Sequence, residues 1–348
     1  MSDFGRRLIR WQKLHGRHGL PWQETTAPYR VWLSEIMLQQ TQVATVIPYY
    51  QRFLATFPTL ADLAAAPVEQ VMGLWSGLGY YARARNLHAC AQAVFADHGG
   101  RFPRQPEQLA ALPGIGRSTA NAIAAFCFSA QAPILDGNVK RVLCRCFGIE
   151  GYPGEAAVEK ELWAKAEALL PDISLPTYIQ AQMDLGAMIC LRGKPLCDAC
   201  PLTDICIAHR DGREKQLPQA KPRKALPEKS ATFLFLRHGD RLLLERRPPA
   251  GLWGGLLVPT QLEPGADLAT YLKTLGYKLR QQQTLEPLRH SFSHFHLTLE
   301  PLLCDVTPLA RAAQSGLVEL APEDVEAAPL PAPIRRLIQA ISTGQATF

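Results

Sequence analysis

Residues 190–206 read CLRGKPLCDACPLTDIC, which places Cys190, Cys197, Cys200 and Cys206 in the spacing C-x6-C-x2-C-x5-C. Four thiols in so short a run can close around one soft metal centre, because thiolate selects zinc, Cu(I) or iron–sulfur. Structural zinc sites ordinarily pair two separated hooks or mix cysteine with histidine. A single C-x2-C inside a compact run of four has no matched second hook, which favours a [4Fe–4S] cluster held by all four cysteines. Zinc, or cysteines without a metal, are the alternatives. The other five cysteines (Cys90, Cys127, Cys144, Cys146 and Cys304) sit in apolar surroundings and read as small core residues.

Upstream of the cysteine run, the chain has apolar residues at helical spacing. YRVWLSEIMLQQ, LADLAAAPVEQVMGLW, RNLHACAQAVFA, GRSTANAIAAFCF and EAAVEKELWAKAEALL each predict helix. Between two of these windows, LPGIGRSTANAI (Leu112 to Ile123) reads as a hairpin of helices. Gly114 and Gly116 permit a tight turn, and the free amides of the helix that follows can bind a phosphate. An ordinary glycine-rich turn is the plainer reading, and Arg117 and the cysteine run favour a contact to a nucleic-acid backbone. Glu35 has apolar neighbours almost all round the helix, including Val31 and Leu38. A carboxyl desolvated there keeps its proton near neutral pH and can act as a general acid, although a helical glutamate is ordinarily a solvated edge residue. Asp136, in PILDGNVKRVL, is at least a helix N-cap. With a second carboxyl nearby it would complete the acid and nucleophile-or-stabiliser pair that cleaves glycosidic bonds.

Downstream, KQLPQAKPRKALPEK (residues 215–229) combines three prolines with five lysines or arginines and has no periodicity, as a linker would. The pattern then changes. ATFLFL and RLLLERR around HGD predict a hairpin, SFSHFHLTL an alternating strand, LEPLLCDV a further strand, and LATYLKTLG and PIRRLIQAI helices. The expected organisation is a mainly α unit over residues 1–215, a linker over 216–229, and a small α/β unit over 230–348. The net charge of +6 permits a nucleic-acid partner without establishing one. MSDFGRRLIRW has no long apolar run, and no stretch reaches 18 consecutive apolar residues. Neither a signal peptide nor a membrane span is expected, and the cysteines point to a reducing cytoplasm.

SEIMLQQTQV, WSGLGYYARARNL, LPGIGRSTA, LDGNVKRVL, the cysteine run and RHSFSHFHL occur in this order, and together they resemble the adenine DNA glycosylases of the MutY type. The hairpin and cysteines alone would indicate only the wider endonuclease III superfamily. The resemblance spans essentially the whole chain. It implies a helix–hairpin–helix DNA glycosylase domain with a [4Fe–4S] cluster, followed by a Nudix-like α/β domain. The implied activity is monofunctional excision of adenine mispaired with 8-oxoguanine or guanine, in double-stranded DNA, by a monomer. Carried onto this chain, Glu35 would protonate adenine N7, Asp136 would stabilise the oxocarbenium-like sugar, and Asn138 would orient the site. Gln40 and Tyr80 would probe or wedge the duplex. Leu20, Trp22 and Gln180 would form the adenine pocket. Gly114, Gly116, Ser118 and Lys140 would face the DNA backbone, and Cys190, Cys197, Cys200 and Cys206 would hold the cluster, with Arg192 and Lys194 between them available to phosphates. Phe292, Ser293 and His294 would read 8-oxoguanine. Two departures carry weight. The strand-cleaving relatives place a Schiff-base lysine where this chain has Ser118, so efficient lyase activity is not expected. The segment LATYLKTLG also lacks the acidic residues of a magnesium-holding Nudix box, so nucleotide hydrolysis is not expected either.

Overall fold

The computed structural model describes residues 1–221, 225–249, 251–309 and 316–343. The chain forms two compact units. Residues 1–65 and 86–223 make the first, and residues 66–85 join 224–348 in the second. Sequence periodicity offers no hint that a 20-residue segment from the helical part groups with the C-terminal part. Residues 222–224 of the expected linker, and 250, 310–315 and 344–348 of the expected C-terminal domain, lie outside the described residues.

The first unit is helical. Its core gathers α1 (Asp3–His15), α8 (Arg117–Phe128), α9 (Gly137–Phe147), α10 (Ala156–Ala168) and α11 (Leu175–Met188). Each supplies an apolar stripe: Phe4 and Leu8 from α1, Ala122 and Ala125 from α8, Val139 and Leu143 from α9, Leu162 from α10, and Tyr178 and Leu185 from α11. Helix α1 starts because the Ser2 side chain accepts the Gly5 amide. Helices α9 and α11 approach closely at Gly186, where a β-carbon would come within 2.5 Å of Asn138 Cβ, so only glycine fits there. Helix α2 (Pro28–Leu38) opens on a proline at its first turn and buries Trp32, Leu33, Ile36 and Met37.

LADLAAAPVEQVMGLW, a single periodic window in the sequence, is broken at Pro67. Helix α4 (Leu60–Ala65) stops before it, and Pro67 caps α5 (Val68–Trp75). A proline has no amide to give to a helix interior, and it disfavours helical backbone at the residue before it.

The second unit is built on a mixed sheet. Strands β1 (Glu228–His238), β2 (Arg241–Arg246), β3 (Leu257–Val258), β5 (Tyr277–Thr284) and β7 (His296–Pro308) run in the order β3-β2-β1-β7-β5. Strand β4 (Thr260–Leu262) adds to β1, β6 (Leu288–Ser291) to β7, and β8 (Val318–Leu320) to β2. The hairpin expected at HGD forms, with Leu236 opposite Leu243 and His238 opposite Arg241. Strands β1 and β7 run parallel from Glu228 and His296 to Arg237 and Asp305. Helices α13 (Leu268–Thr274) and α14 (Ala332–Thr343) match the two expected there. SFSHFHLTL is not one strand, however. Strand β6 ends at Ser291, the chain turns, and β7 runs unbroken from His296 through LEPLLCDV. The turn is closed by the Phe292 amide donating to Phe295 O at 2.9 Å.

Candidate active site and cysteine centre

In the first unit, Glu35 on α2 faces a cavity of about 570 Å³, whose wall also includes Trp22, Gln23, Phe126, Ser129 and Gln180. That volume lies within the range of ordinary small-molecule pockets. The protein surrounds the carboxyl except toward the cavity. Burial, with a smaller contribution from the charge of Asp136, raises its pKa from 4.5 to about 7. Its burial sets Glu35 apart from a solvated edge glutamate, and near neutral pH the group can hold a proton or release one.

Asp136 is the N-cap of α9, and its Oδ1 accepts the Val139 amide at 2.8 Å. Burial raises its pKa. The Val139 and Asn138 amides and the Arg141 guanidinium oppose that rise by favouring the charged form. Cap and reactive carboxylate are compatible roles, because the amides that stop the helix also stabilise the negative charge. The extended run before it is pinned from α8: Asn121 Nδ2 donates to Pro133 O at 2.6 Å, and the Leu135 amide donates to Ser118 Oγ at 3.0 Å. Ser118 thus holds the residue before Asp136.

Trp22 packs edge-on against Tyr50, with ring centroids 5.3 Å apart. Leu20, two residues earlier, is not part of the cavity wall; its amide donates to Gln23 Oε1 at 3.1 Å. Gln180 Nε2 donates to Asp184 Oδ1 at 2.8 Å, and Asp184 is fully buried and pairs with Arg17 Nε at 2.7 Å. A carboxylate only accepts, so the amide nitrogen of Gln180 must face Asp184 and its carbonyl oxygen is left for the cavity. Sequence reasoning missed this pair, which lies 167 residues apart; the signal available was an aspartate inside the otherwise apolar run MDLGAM.

The hairpin forms between the short α7 (Pro106–Ala110) and α8, with Gly116 as the N-cap of α8. Gly114 has φ +75°, and a β-carbon there would stand 2.6 Å from Asn86 Cβ, so this turn requires glycine on both counts. Lys140 is not a free cation: its Nζ donates to Glu159 Oε1 at 2.6 Å and to Pro153 O at 3.2 Å. Gln40, just past the end of α2, is exposed and left-handed at φ +58°. Side chains with a β-carbon rarely adopt that conformation without cause, and such outliers concentrate at functional sites.

In the second unit, Tyr80 has the same signature, with φ +48° and 54% exposure. Phe292 stacks on Phe295 at 4.7 Å and lies 5.8 Å from the Trp253 ring. Ser293 and His294 project from the same turn and are exposed, with Ser293 Oγ 3.4 Å from His294 Nδ1. The tip is polar and its support is aromatic.

The four cysteines of the run line one cavity, together with Arg145, His209 and Glu214. Burial pushes the Cys200 thiol up to about 12, and the three neighbouring sulfurs push in the same direction. Four thiolates in that space would need a cationic centre to offset them, and the donor set suits a soft one. Cys197, His209 and Glu214 also converge, but His209 Nδ1 and Glu214 Oε1 already bond each other at 2.7 Å. Helix α9 joins this cradle to Asp136. Its Arg145 donates to Cys190 Sγ at 3.3 Å and to the carbonyls of Leu191, Arg192 and Leu217. One turn earlier, Arg141 bridges Cys190 O (2.7 Å) and Asn138 Oδ1 (2.9 Å). Neither arginine was singled out from sequence, since both read there as ordinary helical cations.

Among the described residues, no helix is long and apolar enough to cross a membrane. Residues 33–168 match the HhH-GPD superfamily of base excision DNA repair proteins, and residues 231–340 match the NUDIX domain. An adenine DNA glycosylase of Buchnera aphidicola subsp. Acyrthosiphon pisum (strain APS) is 37% identical over 300 residues, which cover 86% of each chain. The adenine DNA glycosylase of Homo sapiens is 34% identical over 373 residues, covering 86% of this chain and 66% of its own. Among solved structures, a thermostable thymine-DNA glycosylase is 28% identical with a TM-score of 0.53, covering 60% of this chain and 95% of its own. A non-covalent endonuclease III–DNA complex, at 23% identity and TM-score 0.50, covers 61% of this chain and 98% of its own and shares the fold.

Proposed function

This chain belongs to the adenine DNA glycosylases, and from that premise we propose that it excises adenine mispaired with 8-oxoguanine or guanine in duplex DNA. The bond broken is the N-glycosidic bond, and an abasic site remains. The observation that carries the reading is the carboxyl pair: Glu35, with a pKa near 7, faces a cavity of about 570 Å³ and feels the charge of Asp136. Adenine flipped from the stack would enter that cavity. Neutral Glu35 donates its proton to N7, which turns the base into a leaving group. Ionised Asp136, held by the amides of α9, stabilises the positive charge that develops on the sugar, and water completes the hydrolysis. Asn138 and Arg141 hold the first turn of α9 in place. The free Gln180 carbonyl is positioned to accept from the exocyclic amine of adenine, which is one basis for rejecting a base that carries an oxygen there.

Ser118 has no amine with which to form an imine, and its hydroxyl is used on the Leu135 amide. The reaction is therefore glycosylase without lyase. Gln40 and Tyr80 are the duplex-probing residues of this reading, and the amides at the start of α8 take a phosphate. Lys140 contributes to the nucleic-acid face only if it leaves Glu159. Phe292, Ser293 and His294 read the base opposite the adenine, with the two polar side chains hydrogen-bonding its edge. In this reading the glycosylase spans 1–215, the linker 216–229 and the recognition domain 230–348, except that residues 66–85 group with the last and β1 already begins at Glu228, in a monomer acting on cytoplasmic DNA.

Cys190, Cys197, Cys200 and Cys206 would hold a [4Fe–4S] cluster. When bound, the cluster supplies a structural tie and takes no part in chemistry on the base. Purified protein should contain four iron and four sulfide per chain and lose both in Cys200→Ser. Zinc in place of iron would overturn that assignment.

The test of the activity is a single-turnover assay on duplexes with adenine opposite 8-oxoguanine, guanine or thymine, scored with and without alkali. Breaks at adenine in the first two, only after alkali, are expected. Breaks without alkali would indicate a lyase instead, and intact adenine in all three would leave only a binding role.

A further inference from the structure

Residues 66–85 belong to the second unit, although more than 140 residues of chain separate them from its sheet. Two sets of hydrogen bonds hold them there. Ser76 Oγ donates to Leu330 O at 3.0 Å and accepts from Arg335 Nη2 at 2.9 Å, and the Tyr81 hydroxyl donates to the same Leu330 carbonyl at 3.3 Å. Arg335 is itself anchored on Ala328 O at 2.7 Å and on Val325 O. At the other end, Arg85 Nη1 donates to Gly254 O at 2.6 Å. Between Ser76 and Arg85 runs the turn that presents Tyr80, exposed and left-handed. Trp75 Nε1 donates to Gly79 O, and the Arg83 guanidinium, over the Trp75 ring at 5.2 Å, donates to Leu78 O and Gly79 O. The turn is therefore held from inside as well as at its ends.

The carbonyl that Arg85 takes leads directly to the other turn. Gly254 follows Trp253, a nearly buried residue with φ +55° whose ring lies 5.8 Å from Phe292. Phe292 opens the turn that carries Ser293 and His294. Arg85, at the end of the segment that presents Tyr80, is thus linked through Gly254 and Trp253 to Phe292.

We infer that Arg85 and Arg335 are positioning residues that hold the Tyr80 turn and the Phe292–His294 turn as one rigid element, so that the base read by the second turn sets how the first engages the duplex. This rests on the reading of Phe292–His294 given above. Neither arginine touches the substrate; each fixes a turn that does. The consequence is a coupling: discrimination between 8-oxoguanine and guanine opposite the adenine depends on both turns together.

The experiment uses the full chain with Arg85→Ala, Arg335→Ala, Arg85→Lys, His294→Ala and the Arg85→Ala/His294→Ala double variant. Maximal single-turnover rates and half-saturating enzyme concentrations are measured on A:8-oxoguanine and A:guanine duplexes. In parallel, 2-aminopurine placed beside the orphan base reports stacking by Tyr80. Either alanine variant is expected to cut the 8-oxoguanine preference about tenfold, within the usual range for coupled sites. The maximal rate on A:guanine should stay within about twofold, Arg85→Lys should recover part of the preference, and the double variant should be no worse than His294→Ala. The 2-aminopurine signal should change in Arg85→Ala. Equal losses on both duplexes, or additive effects in the double variant, would overturn the coupling and leave a merely structural contact. If His294→Ala leaves the preference intact, the reading of that turn fails instead. The 2-aminopurine response to Arg85→Ala then decides whether the Tyr80 turn is positioned from this side.

Discussion

Glu35→Gln should lose about 10²–10⁴-fold in the rate of adenine release, the range a positioned general acid contributes, while still binding the mispaired duplex. Glutamine keeps the shape and the hydrogen-bonding oxygen but cannot give up a proton to N7. The wild-type pH profile should report the same group. Only protonated Glu35 is active, so with its pKa near 7 the single-turnover rate falls as pH rises through 7, about tenfold per unit beyond it. The acid side should fall where Asp136 takes up a proton, and because burial raises Asp136, that limb lies above the ordinary aspartate range. Stability should also fall with rising pH, over a lower window. A carboxyl whose native pKa is raised keeps its proton in the fold and loses it in the unfolded chain, so stability drains as pH climbs from 4.5 to about 7. Glu35→Gln removes that loss and should melt at or above the wild-type temperature at pH 8. A variant with full activity, or a wild-type rate flat from pH 6 to 9, would remove Glu35 from the mechanism.

Asp136→Asn should lose about 10²–10³-fold, comparable to removing one preorganised electrostatic stabiliser of a transition state. Asparagine caps helices as well as aspartate does, so α9 should keep its start and the protein its melting temperature. Asp136→Ala should lose the same activity and about 1 kcal/mol of stability as well, because the Val139 amide loses its acceptor. The pair of variants separates the two functions of one side chain. Should the asparagine variant release adenine within a few-fold of wild type, Asp136 would be a cap and nothing more.

What could be read from the chain beforehand was local. The hairpin glycines, the N-cap at Asp136 and the four cysteines declare themselves within a dozen residues or so, because turn geometry, capping and thiolate chemistry depend on near neighbours. Glu35 was ambiguous, since a helical wheel shows apolar neighbours but not what packs beyond them. The elements that settle its burial lie as far away as Phe126 and Gln180. Arg17 with Asp184, and Arg141 with Cys190, were hidden for the same reason: each pair forms only when segments distant in the chain meet. SFSHFHLTL misled because Phe292 and Phe295 both suit a strand, yet they stack on one another across a turn. The grouping of residues 66–85 with the C-terminal part leaves no periodic mark, because it depends on a serine, a tyrosine hydroxyl, two arginines and backbone carbonyls.

The left-handed backbone at Gln40 and Tyr80 bears on how this protein would respond to laboratory evolution. Each carries a conformational cost of order 1–2 kcal/mol that glycine would not bear. A library screened for heat resistance alone should therefore enrich glycine at positions 40 and 80 and return a hardier chain that grips mispaired DNA poorly. Screening the same library for adenine release should restore the side chains along with their strain. Consensus or stability-driven redesign of this protein should accordingly leave those two positions untouched.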